Sequence, residues 1–200
     1  MQREISSPLV PSAGWTLAHP LVRSGARWTG AIVAGSLLLA VCAHISVPLW
    51  FTPVPLSLQP FGVLVLALLL SPRMAAATMG AYLAEGAVGL PVFAPSPLAG
   101  LAHLLGPTGG YLMMYPIAAV LVSYLGRRMG RGFANGLLSA AAGDVLILTG
   151  GALWLAVSTH AHAVTLLTAA VWAFVPGDAL KVAAAAGIAS SWQRIVRVNR

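Results

Sequence analysis

Apolar residues gather into six runs along the chain, separated by short polar, basic or proline-rich segments. The runs cover residues 29–48, 59–71, 74–90, 109–126, 134–156 and 165–191. A helix needs about 20 residues to cross the roughly 30 Å hydrocarbon core of a bilayer. Most of the runs approach that length, so the pattern predicts an all-α membrane protein with six transmembrane helices. The second run is short, and its start could lie further back, between residues 50 and 58.

The basic residues test this count of six, because Lys and Arg concentrate in cytoplasmic loops. All of the 11 Lys and Arg residues except Lys181 fall in four segments on one side of a six-span arrangement. These residues are Arg3, Arg23, Arg27, Arg73, Arg127, Arg128, Arg131, Arg194, Arg197 and Arg200. The alternation predicts a multi-pass membrane protein with both termini in the cytoplasm. It divides the chain into an N-terminal extension at 1–27, a membrane domain at 28–192 and a basic tail at 193–200.

The composition agrees with a membrane location. Only 8% of the 200 residues are Asp, Glu, Lys or Arg, whereas soluble domains contain about 25%. Hydrophobic residues make up 58% of the chain, which excludes an ordinary soluble enzyme, a disordered chain and a nucleic-acid-binding domain despite the net charge of +7. The single cysteine, Cys42, excludes an intramolecular disulfide and is interpreted as a small core residue.

Two of the loops without basic residues are long and rich in proline. They run from 47 to 60 and from 89 to 107. Proline prevents a continuous helix there, yet both loops are too apolar to lie in water. Irregular backbone at a membrane usually folds back over the protein or lines a cavity. The pattern predicts lids over a pocket in the outer half of the bundle, and simple packing against the helix ends is the alternative.

Four charged residues lie inside the predicted spans: Glu85, Asp144, Asp178 and Lys181. Ionisable groups in a membrane are costly and therefore usually mark a functional site. Asp178 and Lys181 are three residues apart and share one helix face, just after a Pro-Gly pair at 176–177 that we expect to interrupt the sixth helix. An internal ion pair that only fixes packing is the alternative. Such a pair rarely satisfies every donor and acceptor, so a polar ligand would complete it.

Other motifs give little support to metal binding or ATP hydrolysis. His103, His160 and His162 lack the spacing of a metal site. The glycine-rich segment at 106–111 lacks the Lys of a phosphate-binding loop. Active transport by this chain would therefore take its energy from a partner subunit or an ion gradient.

Four segments resemble, in order and spacing, the BioY family, the biotin-binding membrane subunits of energy-coupling factor (ECF) transporters. They are PVPLSLQP at 53–60, YLAEGAVGLPVFA at 82–94, GPTGGYL at 106–112 and PGDALK at 176–181. The resemblance covers about residues 30–190 and implies a six-helix substrate-capture (S) subunit that binds biotin from outside. It also implies docking on a transmembrane coupling subunit driven by two ATPase subunits, with biotin as transported ligand and no cofactor. The location it implies is a bacterial or archaeal cytoplasmic membrane.

The resemblance also implies roles for particular residues. Asp178 and Lys181 match the polar pair of the last helix and would contact the ureido ring of biotin, and Glu85 should face the same group. Tyr82 and Phe93 would pack on the ring system and chain. The complete set of expected biotin-binding residues is Asp178, Lys181, Glu85, Gln59, Ser57, Tyr82, Phe93 and Asp144.

Small residues on the first helix carry a further expectation. Ser36 and Ala40 are four apart, which permits close approach of another helix, and they resemble the family's docking surface for the coupling subunit. In two places the chain departs from the family pattern: Ser57 stands two positions before Gln59 where Thr commonly precedes Gln, and Asp144 replaces a common Asn. The alternatives are an S subunit for another vitamin and a membrane-embedded enzyme that uses an intramembrane carboxylate as acid or base.

Overall fold

The computed structural model describes residues 19–130, 132–160, 171–172 and 174–198. Over these residues the chain is mostly helical, with one small antiparallel pair of strands, β1 (Ser46–Val47) and β2 (Leu56–Ser57). The helices are α1 (His19–His44), α2 (Gln59–Leu69), α3 (Pro72–Ala87), α4 (Leu101–Leu105), α5 (Gly109–Arg128), α6 (Phe133–Thr159) and α7 (Val175–Val198).

The helix ends follow proline and capping signals in the sequence. Pro60 lies in the first turn of α2, where its missing N–H is not needed. Ser71 caps α3, because its side chain accepts a hydrogen bond from the Met74 N–H at 3.4 Å. Pro72 follows directly in the first turn of α3. The short second apolar run is therefore a separate helix of 11 residues.

Two predicted boundaries can be compared with the structure. The sixth predicted run is not one continuous α-helix over its described residues: Phe174 lies in a turn, α7 begins at Val175, and Pro176 lies in its first turn, where proline is tolerated. The start of that predicted run, residues 165–170, lies outside the described residues. At the other end of the chain α1 already begins at His19, inside the predicted N-terminal extension, and residues 1–18 lie outside the described part.

Helix α2 lies at the centre of the bundle. It packs against α1, α5, α6 and α7, and its residues from Val63 to Ala67 are all buried. A helix that is apolar on every side is stable only where neighbours surround it, which explains why this short segment is central. By length and apolar character, α5 and α6 could each cross a membrane, whereas α2 and the apolar part of α1, Trp28–His44, are shorter.

Helices α5 and α6 approach each other closely because glycine faces aromatic side chains between them. A Cβ atom at Gly151 would lie 2.2 Å from the Tyr111 ring, a distance that no real contact allows. The absent side chain lets Tyr111 lie between the two helices. This packing positions Tyr111 at the cavity described below.

Candidate functional site

A cavity of about 190 Å³ lies where the two long loops meet the first turns of α2, α5 and α7 and the middle of α6. It is several times larger than the roughly 30 Å³ that one water occupies in the liquid. The first loop lines it with residues between 48 and 57, and the second with residues 94–97. Both predicted lids therefore form part of a cavity wall, which favours a pocket over simple packing against helix ends.

The polar end of the cavity contains the pair predicted from the sequence. Lys181 Nζ donates a hydrogen bond to Asp178 Oδ1 at 2.8 Å. The two residues are only 8% and 3% exposed, and both line the cavity. Their spacing on α7 brings them together, while the packing of α7 against α2 and α6 directs them inward.

Asp144 joins this pair from α6. It is 6% exposed and lines the same cavity. Within the described part of the chain its Oδ1 atom is buried without a hydrogen-bond partner. Buried carboxylate oxygens are normally satisfied, so this oxygen is an acceptor available to a ligand that carries an N–H or O–H group.

Gln59 and Ser57 also line the cavity, at the start of α2 and in β2. The Gln59 Nε2 atom donates to the Tyr82 hydroxyl at 2.6 Å, and that hydroxyl donates to the Val92 carbonyl oxygen at 2.8 Å. The Ser57 hydroxyl donates to Gln59 Oε1 at 3.3 Å. This chain of hydrogen bonds ties both long loops to α2 and α3.

Tyr82 and Phe93 support the cavity wall and do not line it. Tyr82 is fully buried, and its ring meets that of Phe93 edge to face at 5.4 Å between centroids. Phe93 in turn lies 5.0 Å from the His103 ring, which does line the cavity. In this structure both rings support residues that line the cavity, and their direct contact with the ligand stays a prediction.

Gly86 makes room for Phe93. A Cβ atom at Gly86 would lie 2.0 Å from the Phe93 ring, so only glycine permits this contact between α3 and the second loop. The sequence shows Gly86 and Phe93 seven residues apart, and the turn between them brings the ring back onto the helix.

Glu85 does not lie with the other charged residues. It is absent from the cavity lining and lies on the side of α3 that packs against α1. There its carboxylate accepts a hydrogen bond from the Ser36 hydroxyl. The expectation that Glu85 faces the same group as Asp178 and Lys181 is not supported by this geometry.

The same contact changes the interpretation of the first helix. Ser36 is 1% exposed and faces α3, and Ala40 packs against the core. Ser36 is therefore not available on an outer docking surface, whereas Ala40 is only partly buried and its predicted docking role stays a prediction. The exposed side of α1 instead carries Val33, Leu37 and Val41, which recur every four residues.

Several cavity residues were not assigned by sequence reasoning. Tyr111, Tyr115 and His103 line the cavity, although Tyr111 belongs to the GPTGGY segment that carried the family resemblance. The Trp154 Nε1–H donates to the Gly106 carbonyl oxygen at 2.9 Å and fixes that segment to α6. Among the residues described, no cluster of three or more His, Cys, Asp or Glu side chains could hold a metal ion.

Comparison with known proteins agrees with this arrangement. A family model described as "BioY family" matches residues 15–198. A protein of Pyrococcus horikoshii named "Probable biotin transporter BioY" is 37% identical over 156 residues, which cover 78% of this chain and 90% of the relative. "Biotin transporter BioY" of Lactococcus lactis subsp. cremoris is 29% identical over 140 residues, or 68% of this chain and 73% of the relative.

A solved structure shares the fold. It is the S-component for biotin from an ECF-type ABC transporter, with a TM-score of 0.79 and 24% sequence identity. The match covers 86% of this chain and 93% of the solved chain. The arrangement of helices and long loops described above is therefore that of an ECF S-component.

Proposed function

Because this chain belongs to the BioY family, we propose that it is the S subunit of an ECF-type transporter and binds biotin for uptake across the cytoplasmic membrane. A transmembrane coupling subunit and two ATPase subunits supply the energy. The observation that carries this proposal is the cavity that Asp144, Asp178 and Lys181 line together. The relatives are named as biotin transporters and not as enzymes, which supports a transport role.

The chemistry of the cavity suits biotin. The ureido group of biotin has two N–H donors and one carbonyl acceptor. Asp178 can accept one N–H, the unpartnered Asp144 Oδ1 can accept the other, and the Lys181 ammonium can donate to the carbonyl. Leu112, Ile147, Leu148 and Phe174 supply an apolar lining for the sulfur ring and the chain.

We further propose six membrane-crossing segments with both termini in the cytoplasm. The basic residues near the ends of α5 and α7 and in the first turn of α3 support this orientation. Large apolar side chains on the outer surface support immersion in lipid: Leu180 is 73% exposed, Val157 72% and Leu153 64%. In water such a surface would favour aggregation.

Titration of the purified protein tests the function. Biotin should bind saturably with a Kd below about 1 μM, whereas thiamine and riboflavin should bind far more weakly. Dethiobiotin keeps the ureido ring and lacks the sulfur, so it separates polar recognition from packing on the sulfur ring. Tight binding of thiamine or riboflavin in place of biotin would favour an S subunit for another vitamin and would contradict the proposal.

A further inference from the structure

A buried histidine lies in a different wall of the cavity from the Asp178–Lys181 pair. His103 belongs to α4, is 5% exposed and lines the cavity. Helix α4 packs against α3 and α5, whereas α7 packs against α2 and α6. A ligand that contacts both Lys181 and His103 therefore bridges two walls of the cavity.

Two contacts orient the His103 ring. Its Nδ1 atom lies 3.2 Å from the Leu98 carbonyl oxygen, and its ring lies against that of Phe93. A carbonyl oxygen only accepts hydrogen bonds, so Nδ1 carries the proton. In the neutral ring Nε2 is then an acceptor, and it becomes a donor only in the imidazolium.

The charges around the cavity favour a second cation for the recognition of an anionic ligand. Of the described residues that line it, His103 and Lys181 are those that can carry a positive charge, and Lys181 is already paired with Asp178.

The elements packed against α4 carry other titratable groups. Helix α5 contributes Tyr111 and Tyr115 to the cavity. On α3, the Tyr82 hydroxyl is engaged by Gln59 and Val92, and Glu85 faces α1. The cavity also contains the carboxyl group of Asp144, on α6.

We propose that His103 recognises the carboxylate of biotin as an imidazolium whose Nε2–H donates to it, so that binding takes up one proton from solvent at Nε2. This inference rests on the proposed biotin function. A histidine changes charge between about pH 5 and 8, and an aliphatic carboxylic acid stays ionised for most of that range. Biotin affinity should therefore fall as the pH rises, because binding then has to protonate a neutral ring.

The test compares biotin with biotinol, in which an alcohol replaces the carboxylate. Calorimetric titrations of the detergent-solubilised protein at about pH 6 and about pH 8 measure both affinities. Wild-type protein should prefer biotin by about tenfold or more at the lower pH, and this preference should shrink at the higher pH. The affinity for biotinol should change little between the two pH values.

Two variants and one control separate the role of the charge from that of the ring. His103→Asn keeps an amide N–H for the Leu98 carbonyl but removes Nε2, so it should bind both ligands alike at both pH values. His103→Gln supplies an uncharged donor, so any preference for biotin should be independent of pH. His44→Gln is the control, since His44 is exposed, lies outside the cavity lining and has its Nδ1 atom 2.8 Å from the Ala40 carbonyl oxygen.

The outcomes are distinguishable. If either folded His103 variant keeps the wild-type pH dependence of the preference for biotin over biotinol, the proposal is overturned. If both variants lose this pH dependence while His44→Gln keeps it, the proposal is supported. If wild-type protein binds biotin without any preference over biotinol, the His103 proposal fails while the proposed function stands. If wild-type protein binds neither ligand, the proposed function itself fails.

Discussion

At the scale of single residues, the Asp178–Lys181 contact shows how few charges define this site. Neither side chain is solvated, and each charge is balanced mainly by the other at 2.8 Å. Such a pair is a weak source of net stability, but removal of one partner leaves an uncompensated buried charge. This balance of charges is consistent with the place of the pair in the proposed ligand site.

Asp178→Asn should lower the free energy of unfolding by about 3–5 kcal/mol, because Lys181 loses its counter-charge. Biotin affinity should fall by about 10- to 100-fold with the loss of a charged acceptor. Adding Lys181→Met to this variant should recover much of the stability without recovering affinity. Thermal unfolding and titration in detergent measure the two effects, and wild-type affinity in the single variant would contradict the site assignment.

The Ser36–Glu85 hydrogen bond allows a second test with single substitutions. Glu85→Gln retains an acceptor for the Ser36 hydroxyl and should change biotin affinity by less than about threefold. Ser36→Ala should lower the free energy of unfolding by about 1–3 kcal/mol, because a partly buried carboxylate loses its donor, again without loss of affinity. A tenfold or larger loss of affinity in Glu85→Gln would return Glu85 to the ligand site.

At the scale of elements, the second long loop depends on its contact with α3. Phe93 fits against Gly86 and the Tyr82 ring, and the Val92 carbonyl oxygen accepts the Tyr82 hydroxyl. The loop therefore has little freedom to move without losing packing and a hydrogen bond together. This anchoring places residues 94–97 and His103 at the cavity.

Gly86→Ala should disturb this anchoring, because the added Cβ would lie 2.0 Å from the Phe93 ring. A cost of about 1–3 kcal/mol in unfolding free energy is expected from overpacking, together with weaker biotin binding. Gly80→Ala is the matched control in the same helix, since no heavy atom lies within 4 Å of its Cβ position. That variant should gain up to about 1 kcal/mol from helix propensity, and equal effects of the two substitutions would contradict the role of Gly86.

At the scale of the whole molecule, the distribution of polarity is that of a protein in lipid. The charged residues Asp144, Asp178 and Lys181 are buried, while Leu153, Val157 and Leu180 are exposed on the surface. A soluble protein would show the reverse. This distribution and the basic residues at one end of the helices are the physical basis for the proposed orientation.

Cysteine labelling tests that orientation. In a Cys42→Ala background, His160→Cys should react with a membrane-impermeant maleimide on intact cells, whereas Arg128→Cys should react only after permeabilisation. Both positions are exposed and lie at opposite ends of the α5–α6 pair, so accessibility within the protein does not limit either reaction. Labelling of Arg128→Cys on intact cells would contradict a cytoplasmic position for this loop.

The sequence by itself determined the features that depend on neighbours along the chain. Apolar runs and prolines marked most of the helices, an i,i+3 spacing joined Asp178 to Lys181, and four motifs indicated the BioY family, which the family match confirms. Only the tertiary structure decided which side of each helix faces the cavity. Asp144 lines the same cavity as the pair but belongs to α6, and Glu85 contacts Ser36 instead of the cavity. His103 lines the cavity from the short helix α4 within the second long loop. In helices that are apolar on nearly every side, the sequence pattern marks no inner face, so packing between helices makes that choice.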